Sequence, residues 1–331
     1  MREPAFWSRP PGLASALLSP FAAIYGAIAA RRMDRPGRDA GIPVVCIGNL
    51  TAGGAGKTPA AIAVARILRA SGLRPFLLSR GYGGRLPGPV QVDPARHTAA
   101  DVGDEPLLLA RAAPTVVAHD RPAGAELAKA QGATVIAMDD GFQNPSLAKT
   151  LSIVVVDAQR GVGNGCVIPA GPLRAPLDAQ MAHAHAVLAV GAGQGAASVE
   201  AAARLRGLRV FHGRLVPDMA AIADLLGTRA LAFAGIGDPE KFFATAVDAG
   251  IDVRVRAPFP DHHRFRRAEA EALIAQAERE GLMLLTTEKD LARMAGDNDL
   301  VALARAARAL PVTLVVEEAA AFRDLVLSRA A

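Results

Sequence analysis

Cysteine, aromatic residues and blocks of like charge are all scarce in this 331-residue chain. The two cysteines, Cys46 and Cys166, are too few for a disulfide framework and lack the spacing of a cysteine-based metal site, which favours a reducing compartment. Aromatic residues make up only 4% of the chain, and no run of Lys and Arg forms a basic arm although the net charge is +5. Because nucleic-acid binding needs clustered positive charge and often aromatic stacking, we expect no nucleic-acid partner.

Apolar residues, in contrast, are abundant. They make up 51% of the chain against 21% charged residues, which excludes disordered and collagen-like proteins. At roughly 150 residues per domain, the length suggests about two domains. The chain is therefore long enough to bury a substantial core.

The first apolar segment lies near the N-terminus. Residues 10–30 carry no charge, and four arginines follow at positions 31, 32, 35 and 38. The segment is just long enough to span a bilayer, and a basic flank is typical of the cytoplasmic side. We predict that residues 1–38 form a membrane-associated helix with a basic flank, which either crosses the bilayer or lies on it. A buried core helix and a signal peptide cleaved near Ala29 are the alternatives.

Beyond Arg38, short apolar runs alternate with helical stretches rich in Ala and Leu. Predicted strands lie at 43–48, 74–79, 115–118, 133–138, 151–156 and 186–190, and a predicted helix at 57–70. Continuous apolar runs are typical of parallel strands covered on both faces, so the pattern predicts an α/β layered sheet. A second α/β block begins near residue 229, and residues 208–215 form a strand between the blocks. We place a core domain at 39–225 and a smaller C-terminal α/β domain at 226–331.

A glycine-rich turn, GNLTAGGAGKT at 48–58, separates the first strand from the helix. Glycines let backbone N–H groups face an anion, and the helix N-terminus adds its positive dipole end. Lys57 can reach the β- and γ-phosphates, and the Thr58 hydroxyl can bind Mg²⁺. The predicted nucleotide-binding residues are Asn49, Thr51, Ala52, Gly53, Gly54, Ala55, Gly56, Lys57 and Thr58. The turn predicts a P-loop NTPase-type, mostly parallel sheet flanked by helices.

Two adjacent acids, Asp139 and Asp140, follow an apolar strand. A P-loop needs a carboxylate at the end of a neighbouring strand to hold Mg²⁺. Neighbouring carboxylates are costly to keep ionised unless a cation lies between them. Asp139, Asp140 and Gln143 are therefore the predicted metal ligands besides Thr58.

Four further motifs remain open on the residues alone. The loop SRGYGG at 79–84 either faces a phosphate or is a plain turn. The acids of GDEP at 103–106 are ordinary helix caps or functional carboxylates. The DHH turn at 261–263 offers an Asp/His pair for proton transfer or only exposed polar residues. TEKD at 287–290 is equally consistent with helix capping.

The order of these motifs resembles that of the tetraacyldisaccharide 4′-kinase family, the lipid A 4′-kinases of Gram-negative bacteria. The resemblance rests on VVCIGNLTAGGAGKTP, LLSRGYGG, VGDEP, DDGFQN, GNGCVIPAGPLR, FPDHH and LLTTEKD, in that order over most of the chain. It implies transfer of the ATP γ-phosphate to the 4′-hydroxyl of a tetraacyldisaccharide 1-phosphate, with Mg²⁺ as cofactor. It also implies action at the cytoplasmic face of the inner membrane, on a lipid A disaccharide precursor and without a protein partner.

The resemblance also implies roles for single residues. Asp104 would be the catalytic base, assisted by His262, with Lys57 as the third catalytic residue. Arg174 would contact the nucleotide, and Ser79, Arg80 and Asn144 would contact the lipid substrate. The chain departs from the family pattern at two positions, because Ala175 stands where the family has Glu and Asn144 where it commonly has His.

Three other functions fit parts of the sequence. A membrane-associated P-loop ATPase switch would use the P-loop and the paired acids but not the GDEP and DH motifs. A kinase for a soluble metabolite would have no use for the apolar N-terminus. A non-catalytic nucleotide-binding scaffold would have no role for the candidate bases of the GDEP and DH motifs.

Overall fold

The computed structural model describes residues 4–330 of the chain. Within that range, thirteen strands form two sheets: β1 (Val44–Asn49), β2 (Pro75–Ser79), β3 (Val90–Gln91), β4 (Thr115–Val117), β5 (Val135–Asp139), β6 (Leu151–Asp157), β7 (Ala186–Val190), β8 (Arg209–Pro217), β9 (Arg229–Ala234), β10 (Asp252–Pro258), β11 (Met283–Thr287), β12 (Ala307–Leu310) and β13 (Val312–Val316). Each strand predicted in the first block is present, with ends that differ by at most two residues.

The helices complete a layered α/β fold. In chain order they are α1 (Leu13–Met33), α2 (Lys57–Ala70), α3 (Ala99–Val102), α4 (Asp104–Ala112), α5 (Arg121–Ala130), α6 (Leu177–Ala182), α7 (Ala197–Leu205), α8 (Pro239–Asp248), α9 (Arg267–Glu280), α10 (Glu288–Met294), α11 (Val301–Ala306) and α12 (Ala319–Ser328). Two short 3₁₀ turns lie at Ala5–Ser8 and Ala223–Leu225.

The larger sheet has the strand order β13-β8-β7-β6-β1-β5-β2-β4-β3. Its central strands are parallel, and the antiparallel pairs β8–β13 and β3–β4 lie at the two edges. Strand β1 is buried along its whole length, since hydrophobic clusters cover both faces of the sheet. The predicted mostly parallel α/β sheet is confirmed. The carboxyl ends of β1, β5 and β2 consequently meet at one edge, where a ligand site is expected in such sheets.

The smaller sheet, of order β10-β9-β11-β12, uses residues 229–310 and is parallel. The prediction that the C-terminal domain continues to residue 331 is wrong for its last strand and helix. Strand β13 pairs with β8 in the large sheet, and Phe322 and Val326 of α12 pack into the core beside α2. These contacts join residues about a hundred positions apart for the two strands and about 250 or more for the two helices, so no local pattern shows them.

Helix α1 presents two different faces. Ser15, Ala22 and Gly26 are buried against the protein, and a Cβ at Gly26 would lie 3.3 Å from the Pro176 side chain. Small residues thus allow the helix to lie close to the core. The large apolar residues of the other face are between 63% and 78% exposed, and they are Leu13, Leu17, Phe21, Ile24 and Ile28. The alternative of a buried core helix is therefore wrong.

Candidate active site

The glycine-rich turn is a structured loop between β1 and α2. The Asn49 side chain donates to the carbonyl oxygens of Thr51 (2.8 Å) and Gly53 (3.1 Å) and so holds the loop closed. Gly53 and Gly56 have φ angles of 95° and 82°, which glycine adopts without strain. Helix α2 begins at Lys57 directly after this turn. The strand, loop and helix N-terminus therefore form the anion-binding arrangement that the sequence predicts.

Lys57 lies at the start of α2 and is largely shielded from solvent. Its Nζ is 3.7 Å from Oδ1 of Asp140. Burial lowers the pKa of Lys57, while the Asp140 carboxylate opposes that effect. A cation in this position can meet the charge that develops on a transferred phosphoryl group.

Asp139 ends β5 beside the P-loop. Its Oδ2 accepts a hydrogen bond from the Thr58 hydroxyl at 3.4 Å, whereas its Oδ1 is buried and has no hydrogen-bond partner among residues 4–330. Burial and the neighbouring Asp140 raise the pKa of Asp139 to about 6. A buried, unpaired carboxylate oxygen next to a threonine hydroxyl fits a divalent cation, so Thr58 and Asp139 are suited to bind Mg²⁺.

The other two predicted metal ligands, Asp140 and Gln143, make ion pairs and hydrogen bonds with neighbouring residues of the site. Asp140 pairs with Arg174 at 2.9 Å as well as with Lys57, and although burial would raise its pKa, these two cations lower it. The Gln143 amide donates to the Asn49 carbonyl (2.6 Å) and its oxygen accepts from Arg174 (3.3 Å). Both residues therefore contact Arg174 or the P-loop, and their assignment as metal ligands stays a prediction.

Arg174 connects the P-loop to the paired acids through its side chain. Its Nε donates to the Thr51 carbonyl at 3.0 Å. Thr51 occupies the first position of the P-loop consensus G-x-x-x-x-G-K-[ST], where glycine is usual. The next residue, Ala175, is fully buried in the core. It supplies no charge at the position where the family has Glu.

Asp104 is the first residue of α4 and is only 4% exposed. His262 belongs to the turn after β10 and has a positive φ of 55°. Its Nδ1 lies 3.4 Å from Oδ2 of Asp104, and Tyr82 packs edge-on against its ring at a centroid distance of 5.5 Å. The structure thus brings Asp104 and His262 together across the two sheets.

Two cations of α10 complete this cluster, and the sequence reasoning missed both. Arg293 contacts Oδ2 of Asp104 and also pairs with Asp290 at 2.6 Å. Lys289 pairs with Glu105 at 2.7 Å, and its Nζ lies 3.4 Å from Nε2 of His262. Thr287 does cap α10, as one interpretation of TEKD had it. The available signal was the spacing of Lys289 and Arg293, four residues apart on one helix face.

The electrostatics of the cluster keep Asp104 ionised. Burial alone would raise the pKa of Asp104, but His262, Lys289 and Arg293 hold it well below its usual range. Burial and the adjacent Asp104 raise the pKa of Glu105. The pKa values of the two neighbouring carboxyl groups are thus shifted in opposite directions, downwards for Asp104 and upwards for Glu105.

The P-loop and the Asp104 cluster face one cleft of about 1860 Å³. The sheets that form it are joined by ion pairs of Arg160 with Asp238 (3.2 Å) and of Lys241 with Asp157 (3.3 Å). The three residues predicted to contact the lipid substrate, Ser79, Arg80 and Asn144, also line the cleft. Lys57 and His262 therefore line one space, and the buried Asp104 adjoins it through its contact with His262.

A model of the LpxK family, tetraacyldisaccharide-1-P 4′-kinase, matches residues 14–331. The chain belongs to this family. Curated tetraacyldisaccharide 4′-kinases from Rhodopseudomonas palustris (strain BisB5) and Nitrobacter hamburgensis are each 55% identical to it, cover 99% of the chain, and are themselves covered over 97% and 98% of their lengths. The predicted family, kinase activity and function are confirmed, and the ATPase-switch alternative is not favoured.

A solved member of the 4′-kinase family has the same fold. The crystal structure of LpxK from Aquifex aeolicus in complex with ATP matches 96% of this chain and 100% of that chain with a TM-score of 0.73 at 24% identity. It supports the α/β architecture of this kinase.

Proposed function

We propose that this kinase transfers the γ-phosphate of ATP to the 4′-hydroxyl of a tetraacyldisaccharide 1-phosphate, with Asp104 as the general base. The observation that supports the assignment is that His262, whose Nδ1 lies 3.4 Å from Oδ2 of Asp104, lines the same cleft as Lys57 and Thr58. A nucleotide on the P-loop and a hydroxyl beside Asp104 would thus share one reaction space.

The nucleotide half of the site acts through charge. The P-loop N–H groups and the N-terminus of α2 bind the phosphates, and Lys57 stabilises charge on the transferred group. Thr58 and Asp139 would hold a Mg²⁺ ion, which when bound neutralises charge on the phosphate oxygens. Arg174 contacts both the P-loop and Asp140 and so holds them in position relative to each other.

The acceptor half of the site acts through position. Asp104 accepts the hydrogen bond of the sugar hydroxyl and takes its proton as the new P–O bond forms. Because phosphoryl transfer has a loose transition state, the reaction does not need a strong base, and a carboxylate of low pKa suffices. His262, Lys289 and Arg293 orient the two carboxylates from the opposite sheet. The reaction therefore requires both sheets to frame the cleft.

The function is tested with the full-length enzyme, ATP, Mg²⁺ and a tetraacyldisaccharide 1-phosphate. We expect mass analysis of the lipid to show one added phosphate, in an amount equal to the ADP formed. Release of free phosphate with no phosphorylated lipid would support the ATPase switch and overturn the proposed function.

We also propose that α1 places the enzyme on the cytoplasmic face of the inner membrane. In the described part of the chain, Leu13–Met33 is the one helix long and apolar enough to cross a membrane. Its large apolar side chains face away from the protein, and Arg31 and Arg32 occupy its last turn. Such a face is suited to acyl chains, while the arginines are suited to anionic headgroups.

Glutamate substitutions at Leu17 and Phe21 should release the enzyme from lipid vesicles, because two charges then replace apolar surface that would lie in the hydrocarbon. The measurement is co-sedimentation with vesicles made from bacterial inner-membrane lipids. The matched control is Leu205→Glu, since Leu205 is 87% exposed but lies on α7. Full vesicle binding by the Leu17→Glu/Phe21→Glu variant would contradict the membrane assignment.

A further inference from the structure

A second, smaller cavity of about 310 Å³ lies at the C-terminal end of α1. Four basic side chains line this cavity, which we call the basic pocket: Arg35, Lys149, His183 and His185. Met33, the last residue of α1, is also in its wall. Among residues 4–330, no carboxylate lines the basic pocket, and none of its lining residues lines the active cleft. The basic pocket is therefore separate from the reaction site and suited to an anion.

The basic pocket lies at the end of the large sheet opposite the P-loop. Lys149 precedes β6 and His185 precedes β7, so both residues lie at the amino ends of these parallel strands. The P-loop follows the carboxyl end of β1, which is parallel to β6. Basic residues at helix C-termini often only balance the helix dipole, but neither Lys149 nor His185 belongs to a helix. The helix dipole therefore does not account for these two side chains.

Lys149 has a hydrogen bond in the basic pocket but no counter-charge. Its Nζ donates to the Asn144 carbonyl oxygen at 2.7 Å, and it forms no ion pair with any residue among 4–330. Burial lowers the pKa of Lys149, and an ionised Cys46 would oppose that effect. Because burial raises the pKa of Cys46 to about 11, this thiol is uncharged near neutral pH. A partly buried ammonium group without a counter-charge is costly, and a bound anion would remove that cost.

The other basic side chains add N–H donors to the basic pocket. Nδ1 of His185 accepts a hydrogen bond from the Ser152 N–H at 3.0 Å, which places the ring proton on Nε2. Nε2 of His183 lies 3.0 Å from Oδ1 of Asp34, a carboxylate that is 71% exposed to water. The guanidinium of Arg35 pairs with no carboxylate in the described part of the chain. Ammonium, guanidinium and imidazole N–H groups together are the donors that bind phosphate oxygens.

The location of the basic pocket indicates which phosphate it would meet. Ile28 is the last large apolar residue on the exposed face of α1, and Met33 follows it five positions later. Five residues of α-helix span about 8 Å along the helix axis. A lipid whose chains lie along the apolar face of α1 would therefore have its headgroup close to the basic pocket.

We propose that the basic pocket binds the phosphate group of an anionic phospholipid in the bilayer on which α1 lies. Basic pockets beside membrane helices are suited to such headgroups, because each Lys or Arg near the surface is attracted to anionic lipid. The inference rests on the proposed membrane placement of α1, but it concerns a lipid that is not the substrate. Such a lipid would hold the C-terminal end of α1 at the level of the headgroups, apart from the active cleft.

The inference is tested by the affinity of the full-length enzyme for phosphatidylcholine vesicles with and without phosphatidylglycerol. Lys149→Gln and Arg35→Gln should each weaken binding to the vesicles that contain phosphatidylglycerol about 5-fold, and the double variant about 30-fold, because each change removes one cation from the headgroup. Binding to phosphatidylcholine alone should not change. Arg35→Lys keeps the charge and should retain most of the wild-type affinity.

The matched control is Arg38→Gln. Arg38 is three positions from Arg35, and its guanidinium pairs with Glu126 at the surface, outside the basic pocket. It should bind both kinds of vesicle almost as the wild type does. A general attraction of positive charge to the vesicle would make Arg38→Gln as harmful as Lys149→Gln, and that result would overturn the inference.

A soluble lipid tests the identity of the ligand. In isothermal titration calorimetry, dihexanoyl phosphatidylglycerol below its micelle concentration should bind the wild type but not the Arg35→Gln/Lys149→Gln variant. Inorganic phosphate is the comparison, and phosphate that binds as tightly as the lipid would overturn the assignment to a phospholipid. If Lys149→Gln lowers the melting temperature, Arg35→Gln provides the same test at an exposed position.

The failure of this inference can be told from the failure of the proposed function. In detergent micelles Arg35→Gln should keep the wild-type kcat, because Arg35 does not line the active cleft. A wild-type enzyme that binds both kinds of vesicle equally would overturn this inference alone. A wild-type enzyme that binds neither kind would overturn the membrane assignment, and this inference with it.

Discussion

Asp104→Ala is expected to lower kcat by about 10²- to 10⁴-fold, the usual effect of losing a general base. ATP affinity should change little, because Lys57, Thr58 and Asp139 remain in place. The measurement is kcat from lipid phosphorylation, together with the Kd for ATP. Unchanged turnover would leave Asp104 as a helix cap and reopen the choice of base.

The same prediction extends to His262, which lies 3.4 Å from Asp104. His262→Ala should cause a smaller loss, because this residue orients Asp104 instead of taking the proton. The double variant should then be less than multiplicatively impaired, since groups that act as one unit are non-additive. Fully independent effects in this cycle would argue against the pair.

Asp104→Asn is the conservative control for this experiment. It keeps the hydrogen-bonding shape beside Arg293 and Lys289 but removes the negative charge and most of the basicity. A loss of kcat in Asp104→Asn without a loss of melting temperature would assign the effect to proton transfer. A large drop in melting temperature instead would assign it to the contact between the two sheets.

Lys57→Ala is expected to lower kcat by about 10²- to 10³-fold, as is typical when one charge-stabilising group is removed from a transition state. The loss should appear in single-turnover phosphorylation at saturating ATP. Asp140 would keep Arg174 as a partner, so the fold around it should persist.

Lys129→Ala is the matched control for Lys57→Ala. Lys129 lies on α5, where it donates to the Ala40 carbonyl and pairs with Glu126. The Lys129→Ala variant should retain wild-type turnover. Near-wild-type turnover of Lys57→Ala would remove the P-loop assignment.

The sequence predicted the nucleotide half of the site well because its determinants are local. The apolar run of β1, the glycines of the turn and the start of α2 at Lys57 lie within fifteen consecutive positions. The predicted helix at 57–70 has the observed bounds. Asp139 could likewise be placed at a strand end, since the apolar run of β5 ends there.

The acceptor half was less predictable because it is assembled from distant segments. Asp104 and His262 are ambiguous by themselves, and only the resemblance to the kinase family singled them out. Lys289 and Arg293 were missed because their spacing on α10 is equally that of a solvent-exposed helix face. The contacts of Asp140 and Gln143 with Arg174 were not predicted, since nothing local shows that Arg174 reaches both.

What the sequence determined by itself is the set of local elements and the chemistry that each one can perform. Strand–turn–helix patterning, backbone dipoles and residue type act within a few positions, so the P-loop, the paired acids and the apolar α1 can be recognised from them. The tertiary structure decided which of these groups meet. It placed β13 in the large sheet and packed α10 against α4. Those contacts depend on strand order and on packing between sheets, and both are set by the energy of the whole fold.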